Sequence, residues 1–424
     1  MSKLLTGAPW LHAMARVFDN AGAPLYLVGG AVRNPLMGLP VSDIDVCGPA
    51  RAEAVCALCE GTPVRAKLRA ASFGTVELYV TDETGCEHMA EYTAWRQDLY
   101  LQGHRPDKVV FTKDISVDAS RRDFTVNALY QRVHEDGLEE VTDPTGGLAH
   151  LAQGLLHTVK PDPDLVLGED GQRILRAVRF QAELDLTPTQ SMLESMQRNA
   201  PLIGELSPEM MRSELEKMLL ADFRYPALCR RRPAAADALR TLHQTGAWPY
   251  VFGGIAFDES IARAFERPAG ESLCTQLALL LCRVSAQEAE AWLRRMHFTS
   301  ACTQAVLAAL QTMDGIPSAN LVQLAKLGTD ALCTAKAVWH ALGDALNAHA
   351  VQNVLDRLAG KPLSLRELSV TGSDLKPLFL RSGRPLRDMG AVLEALWLAV
   401  LEGRLPNERE ALIDSFLSFG ELHQ

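Results

Sequence analysis

Gly29-Gly30-Ala31-Val32-Arg33 stands just upstream of Asp43-Ile44-Asp45. A strand that enters a Gly-Gly turn and then a helix makes a phosphate cradle. Glycine lets backbone N–H groups approach an anion, and the helix N-terminus adds a favourable dipole. Gly29 and Gly30 would form that cradle, and Arg33 would add a fixed cation on the first helical turn. Asp43 and Asp45 lie two apart on an expected strand, so both carboxylates leave one face. Alone, such a pair fits a solvated turn. Two neighbouring carboxylates repel each other without a cation, and with Mg²⁺ they form a phosphoryl-transfer site. The Gly-Gly-x-x-Arg upstream favours the second reading.

Two further stretches carry chemistry. Arg121-Arg122-Asp123-Phe124-Thr125-Val126-Asn127-Ala128 opens an expected helix with two cations, an acid and an amide. Arg122 could hold a triphosphate, and Asp123 and Asn127, one helical turn apart, could each bond a ribose hydroxyl. Standing alone, the segment would read as a capped surface helix. In Glu169-Asp170-Gly-Gln-Arg173-Ile-Leu-Arg176-Ala-Val-Arg179-Phe180, positions 169, 173 and 176 share a helical face, with 170 beside it. Ile174, Leu175, Val178 and Ala182 form the apolar face. Glu169–Arg173 is also an ordinary i,i+4 pair. A fixed carboxylate accepts from the exocyclic amino group of C or A, and a fixed guanidinium donates to the ring nitrogen beside it. U and G present a carbonyl oxygen there, so one Asp and one Arg suffice to reject them.

These residues need a scaffold. The chain has 424 residues, 47% hydrophobic and 22% charged, ordinary globular usage that argues against disorder, and its length implies several domains. Aromatics are only 6%, which favours a Leu/Ala/Val helical core. Residues 1–150 read as α/β. A helix is expected near Leu11–Ala21, strands at Leu25–Val28 and Ile44–Val46, and a helix at Arg51–Cys59. Val76–Val80 and His88–Thr93 look like paired strands turned at Asp82–Gly85. Beyond residue 150 helical periodicity takes over, at Ile174–Leu184, Pro208–Leu220, Leu273–Val284, Ala286–Met296, Ser300–Met313, Val351–Leu358 and Met389–Leu401. The nine cysteines are odd in number and irregularly spaced, which points to a reducing compartment, with Cys56 and Cys59 as buried thiols. The longest apolar run, Ala395–Leu401, is far short of a membrane span. With no leader-like start, a soluble cytoplasmic protein is expected.

In this order, the three constellations resemble the class II tRNA nucleotidyltransferases, or CCA-adding enzymes, of the tRNA nucleotidyltransferase/poly(A) polymerase family, in its Gram-positive-type branch. Tyr26–Val46 resembles the catalytic first motif, and Ala90–Arg96 the strand before the family's flexible loop. Asp143-Pro-Thr-Gly-Gly147 resembles the turn into the neck, Glu169–Arg173 the EDxxR base-reading motif, and Ser207–Leu219 the helix closing the neck. Leu368–Leu375 and Pro406-Asn407-Glu408 resemble tail landmarks. The resemblance implies an α+β fold, with a polymerase-β-type nucleotidyltransferase α/β head followed by an all-α neck, body and tail. The expected boundaries are head 1–150, neck 151–222, body 223–330 and tail 331–424, the neck recognising the base and the tail tRNA.

The implied activity is template-independent addition of CCA to tRNA 3′ ends from CTP and ATP. Asp43 and Asp45 would be the catalytic ligands of two Mg²⁺ ions, one at the 3′-hydroxyl and one at the departing pyrophosphate. Gly29, Gly30, Arg33 and Arg122 would hold the triphosphate, and Asp123 and Asn127 the ribose. Asp170 and Arg173 would read the base, with Glu169, Arg176 and Arg179 orienting them or meeting phosphate. Glu91 is a candidate third carboxylate. CC-only, A-only and poly(A) variants of the activity stay open, as does an inactive RNA-binding protein. The EDxxR motif speaks against the poly(A) polymerases, and the intact carboxylate pair against loss of activity. Tail contacts with tRNA and the oligomeric state are not specified by the sequence.

Three departures stand out. Asn34 replaces an Asp usual in the family, with a small effect expected. Gln102 and Gly103 stand in the loop where the family more often has an Asp, which bears on addition of the final A. No His-Asp dipeptide occurs, and the comparable stretch reads Leu279-Leu-Leu-Cys-Arg283, so no phosphohydrolase activity is expected. The net charge of −10 argues against a general nucleic-acid binder. Basic residues nonetheless cluster locally, at Arg176 and Arg179 and at Arg224, Arg230, Arg231, Arg232 and Arg240. That distribution predicts a selective, salt-sensitive grip on tRNA.

Overall fold

Helix α1 (Pro9–Asn20) opens on a proline at its first turn and buries Leu11, Met14, Ala15 and Phe18 on one side. Proline is tolerated there because the first N–H groups lack helical partners in any case. The apolar run Leu25–Val28 forms β1, and Gly29 turns the chain into α2 (Gly30–Leu36). The turn needs glycine, for Gly29 has φ +64° and ψ −125°, a region closed to side chains. There follow β2 (Asp45–Gly48), α3 (Ala52–Cys59), β3 (Val64–Ala70), β4 (Thr75–Thr81), β5 (Glu87–Ala94), β6 (Arg96–Leu99), β7 (Lys108–Phe111), α4 (Ile115–Ser120), β8 (Tyr130–His134), β9 (Gly137–Thr142) and α5 (Gly147–Gln153). The computed structural model describes residues 8–99, 108–267, 269–315 and 321–421. The expected departure at Gln102 and Gly103 lies outside the described residues.

Seven strands make one sheet in the order β3-β4-β5-β2-β1-β8-β9. Neighbours run antiparallel except β2 and β5, whose parallel register sets Asp45 opposite Glu91 and Val46 opposite Tyr92. The period of two sends these pairs to opposite faces. Val46 and Tyr92 join Leu11, Phe18, Leu27, Val32, Val55 and Leu78 in the core under α1 and α3. Cys47 turns to the other face, packing with Val28, Trp95, Ala128 and Tyr130. Asp45 shares that face and begins its strand; Asp43 precedes the strand instead of lying on it.

The segment after α4 is where expectation and structure part. Arg121–Ala128 does not open a helix, and only Thr125–Asn127 forms a single 3₁₀ turn. Its backbone is committed elsewhere: Thr125 N–H donates to His157 O at 2.9 Å and Val159 N–H to Asp123 O at 3.2 Å. Gly147 packs so closely here that a Cβ would fall 2.2 Å from Thr125 O. Asp143 winds the preceding turn, accepting from Gly147 N–H at 2.8 Å and Leu148 N–H at 2.9 Å.

The helices α6 (Asp164–Leu167), α7 (Gly171–Leu184), α8 (Gln190–Asn199), α9 (Pro208–Leu219), α10 (Ala221–Arg224) and α11 (Ala234–Gln244) follow in the same compact unit, which spans Met1–Phe257. α7 starts after Asp170 because that side chain caps it, accepting from Gln172 N–H at 2.9 Å. Glu169 therefore precedes the helix and shares no helical face with Arg173. Ile174, Leu175, Val178 and Ala182 are buried as the periodicity requires.

The second unit, Asp258–Gln424, is helical. Helix Ala286–Arg295 carries a Ser285/Glu288 capping box. Leu332, Val351, Val370, Leu375, Phe379, Trp397, Leu401 and Leu412 form a core, and Trp397 donates its indole N–H to Pro362 O at 2.8 Å. Among the described residues no helix is long and apolar enough to cross a membrane.

Candidate active site

A cavity of about 350 Å³ gathers most of the residues singled out in the sequence. Gly29, Gly30, Arg33, Asp43, Asp45, Arg122, Asp123, Asn127, Arg176 and Arg179 all line it. A second cavity of about 440 Å³ is bordered by Glu91, Thr93, Arg96 and Arg121. Asp45 and Arg122 belong to both, so they mark where the two spaces meet.

Asp45 faces the cavity solvent, yet its carboxyl is pushed up to about 6, by burial between the walls first and by Glu91 next. Asp43 adds to the rise, while Arg122 and Arg176 oppose it. Ser42 Oγ donates to Asp43 Oδ2 at 3.0 Å and accepts from Arg224 Nη2 at 3.3 Å. The carboxylates of Asp43, Asp45 and Glu91 do not all three lie within 4.8 Å of one another. Mg²⁺ takes hard oxygen donors and is usually held by one or two carboxylates plus substrate phosphates. Asp43 and Asp45 match that donor set, and a cation there would offset the burial and the neighbouring carboxylates that raise Asp45.

The cations are fixed by the fold. Arg33 is buried, donates to Asn127 Oδ1, and reaches Asn34 Oδ1 from Nε at 3.1 Å and Nη2 at 2.8 Å. Burial lowers its guanidinium to about 10. Asn34 uses its amide too, donating to Pro40 O at 2.9 Å and the Tyr225 hydroxyl at 3.1 Å. Arg122 is clamped by Asp118 Oδ2 at 3.2 Å and the Tyr130 hydroxyl at 2.9 Å, and that hydroxyl donates to Asp118 at 2.8 Å.

A chain of polar contacts crosses the cavity wall. Asn127, held by Arg33, donates to Asp123 Oδ1 at 3.1 Å, and Arg176 pairs with Asp123 Oδ2 at 2.6 Å. Burial alone would raise Asp123, but Arg176 and Asn127 hold it down at about 2. Phe180 lies 5% exposed with three guanidiniums around its ring, Arg33 at 5.1 Å, Arg176 at 5.3 Å and Arg179 at 4.2 Å. Arg179 in turn pairs with Glu183 at 2.9 Å and Glu214 at 2.6 Å.

Asp170, Arg173 and Glu169 stand outside the cavity lining. Arg173 donates to Glu169 Oε2 at 2.7 Å, Val166 O at 3.0 Å and Arg121 O at 3.0 Å. Glu169 also accepts from Lys160 Nζ at 2.9 Å.

Several lining residues escaped the sequence reading. Lys217 on α9 and Tyr225 just past α10 reach the cavity from distant parts of the sequence and carry no local signal, whereas Glu183 follows Arg179 by four residues, an ion-pair spacing, and Arg224 belongs to the basic cluster. Asp118 carried a signal too, since it precedes Arg121 by three residues and Arg122 by four, the spacing of helical ion pairs.

A mixed sheet with a carboxylate pair beside a glycine turn, faced by fixed guanidiniums, defines a nucleotidyltransferase head. Residues 25–157 match the poly A polymerase head domain, and residues 271–416 match tRNA nucleotidyltransferase domain 2. The chain is 30% identical over 406 residues to the CCA-adding enzyme of Geobacillus thermodenitrificans, covering 94% of this chain and 93% of that one. It is 28% identical over 420 residues to the CCA-adding enzyme of Lactiplantibacillus plantarum, covering 93% and 92%. Its fold is similar to the crystal structure of the Bacillus stearothermophilus CCA-adding enzyme in complex with CTP, with TM-score 0.79 and 26% identity over 99% of this chain and 100% of that one. The chain belongs to the CCA-adding enzymes, a family of tRNA nucleotidyltransferases.

Proposed function

We propose that the chain adds C, C and A to tRNA 3′ ends from CTP and ATP. One observation carries the reading: Asp43 and Asp45 share a cavity with Arg33, Arg122 and Arg176, so a carboxylate pair suited to a metal ion and guanidiniums suited to phosphate line one space of nucleotide scale. The tRNA 3′-hydroxyl attacks the α-phosphorus of the nucleotide, a phosphodiester forms and pyrophosphate leaves. Mg²⁺ held by Asp43 and Asp45 would supply Lewis-acid charge at the reacting oxygens. Arg33 and Arg122, pinned by Asn34, Asp118 and Tyr130, offer positive charge to the triphosphate without having to reorganise, which is what makes such contacts effective. Asp123 and Asn127 present acceptors at the wall for ribose hydroxyls. Glu91 borders the adjoining cavity, where the primer end would enter.

Base choice is assigned to Asp170 and Arg173 on their spacing. Both also serve the fold, so a test must separate the two roles. Arg176 and Arg179, further along the same helix, line the cavity. The head at 1–150, neck at 151–222, body at 223–330 and tail at 331–424 divide the labour in this reading, with tRNA held by the helical parts of a cytoplasmic enzyme. The test uses purified protein, Mg²⁺ and tRNA transcripts ending before CCA, after C and after CC, with CTP, ATP or both. Single-nucleotide gels should show ordered C, C, A extension. A stop after CC, or A added alone, would convert the assignment to a partial activity, and no extension in any lane would reject it.

A further inference from the structure

The turn joining β4 to β5 brings a carboxylate, a thiol and an imidazole together. Asp82, Cys86 and His88 each offer one ligand atom, and the three atoms lie within 4.8 Å of one another. The hairpin register fixes the turn, with Val80 opposite His88 and Thr81 opposite Glu87. Asp82 Oδ1 holds the loop together, accepting from Thr84 N–H at 2.9 Å, the Thr84 hydroxyl at 2.6 Å and Cys86 N–H at 3.0 Å. That leaves Oδ2 for the site, and it sits 2.7 Å from His88 Nε2. The imidazole is itself positioned, stacked on Trp10 of α1 with ring centroids 4.9 Å apart and planes within 2°. Two of the three ligand atoms are therefore preset by the fold. The third, on exposed Cys86, hangs over them with its thiol free.

This cluster is distinct from the catalytic carboxylates. Side chains alternate along β5, so His88 lies on the α1 side of the sheet while Glu91 borders the cavity on the other. The donors differ in kind as well. Nitrogen and sulfur select borderline transition ions over Mg²⁺, which keeps to oxygen. Three protein ligands leave a fourth tetrahedral position for water.

We propose that Asp82, Cys86 and His88 form a binding site for a borderline divalent transition-metal ion of the Zn²⁺ type. On binding, the Cys86 thiol releases its proton to solvent and coordinates as thiolate. His88 gives up the Nε2–H···Oδ2 hydrogen bond to Asp82; by exchange with solvent the imidazole takes the tautomer with its N–H on Nδ1 and coordinates through the freed Nε2, while Asp82 coordinates through Oδ2. With bonds of about 2.0 Å, the Asp82–His88 edge opens to about 3.3 Å, a small movement for two side chains on one turn. The ion would tie the hairpin turn to α1 through the His88–Trp10 stack and leave the nucleotide cavity untouched.

Co²⁺ is the probe, added to the full-length protein in a large excess of Mg²⁺ so that the carboxylate site is occupied. A thiolate-to-cobalt charge-transfer band should grow in the near ultraviolet and saturate at one equivalent, and Zn²⁺ should bleach it. Cys86→Ser, at an exposed position, should abolish the band with unchanged circular dichroism. His88→Gln should weaken Co²⁺ binding at least about tenfold. Zn²⁺ should raise the melting temperature of the unmodified protein and not that of Cys86→Ser. No band in the unmodified protein, or a band that survives Cys86→Ser, overturns the site. If His88→Gln loses its Trp10 stack and unfolds, the Cys86→Ser comparison decides alone.

Discussion

Asp45 on β2 stands opposite Glu91 on β5 in parallel register, and the Glu91 carboxylate helps to raise that of Asp45. The folded pKa of Asp45, about 6, lies above its usual 3.8. In that interval the folded chain holds a proton that the unfolded chain has released. The group therefore favours folding at low pH, and that contribution is lost as pH rises through 6. Asp45→Asn should accordingly raise the melting temperature of the metal-free protein at pH 8, with the gain vanishing by pH 4. Mg²⁺ should raise the melting temperature of the parent and not of the variant, and nucleotide addition should fall to background. Glu91→Gln removes a charge that raises Asp45, so the acid limb of its pH–activity profile should move to lower pH. Melting curves with and without Mg²⁺ and a pH–rate series check both.

That register was beyond the sequence, although much around it was legible. Leu25–Val28 is apolar, uninterrupted and followed by Gly-Gly, and it forms β1 over those same residues. The β4–β5 hairpin and α7 were equally readable, because their periodicities of 2 and 3.6 are local. β8 and β9 went unread: Tyr130–His134 is part polar, and Gly137–Thr142 at the sheet edge leaves no clean alternation. Arg121–Ala128, with two cations, an acid and an amide, looks locally like the opening of a helix. Its backbone is instead claimed by residues 157–159, and Asp123 is claimed by Arg176, 53 positions away. The sequence supplied the donors and acceptors; long-range packing decided which of them meet.

Asp118 is the next test, because it positions Arg122 without lining the cavity. Burial alone would raise its carboxyl, yet Arg122 and Arg121 hold it below the usual range. Its contribution is therefore present at neutral pH and lost in acid, as pH falls through the depressed pKa. Asp118→Ala strands two guanidiniums and should cost about 3–5 kcal/mol in denaturant titrations. Asp118→Asn keeps an acceptor and should cost less. In that variant Arg122 loses its charged clamp, so KM for the nucleotide should rise more than kcat falls.

Asp123 and Arg176 link the head to α7 through one ion pair at 2.6 Å. Either single alanine variant leaves the other charge at a largely enclosed wall. The double variant should therefore be more stable than the sum of the singles predicts, with a coupling of about 1–3 kcal/mol. A double-mutant cycle by urea unfolding measures it. Raising the salt concentration should change this coupling little, because Asp123 is only 8% exposed.

Asp170 has two assignments, a helix cap that the fold displays and a base-reading acceptor that the motif implies. They separate by chemistry. Asn caps as well as Asp, because its carbonyl oxygen can accept from Gln172 N–H, whereas Ala cannot. Asp170→Asn should keep the melting temperature near that of the parent, and Asp170→Ala should lose about 1 kcal/mol. Base choice should respond differently. The Asn side chain can turn its amide outward and donate, so it accommodates the carbonyl of U where the carboxylate would repel it. In Asp170→Asn, single-turnover addition should therefore show CTP losing its advantage over UTP while the cap survives. An unchanged CTP preference in that variant would leave Asp170 as a cap alone and pass base choice to the residues that line the cavity, Arg176 and Arg179 first among them.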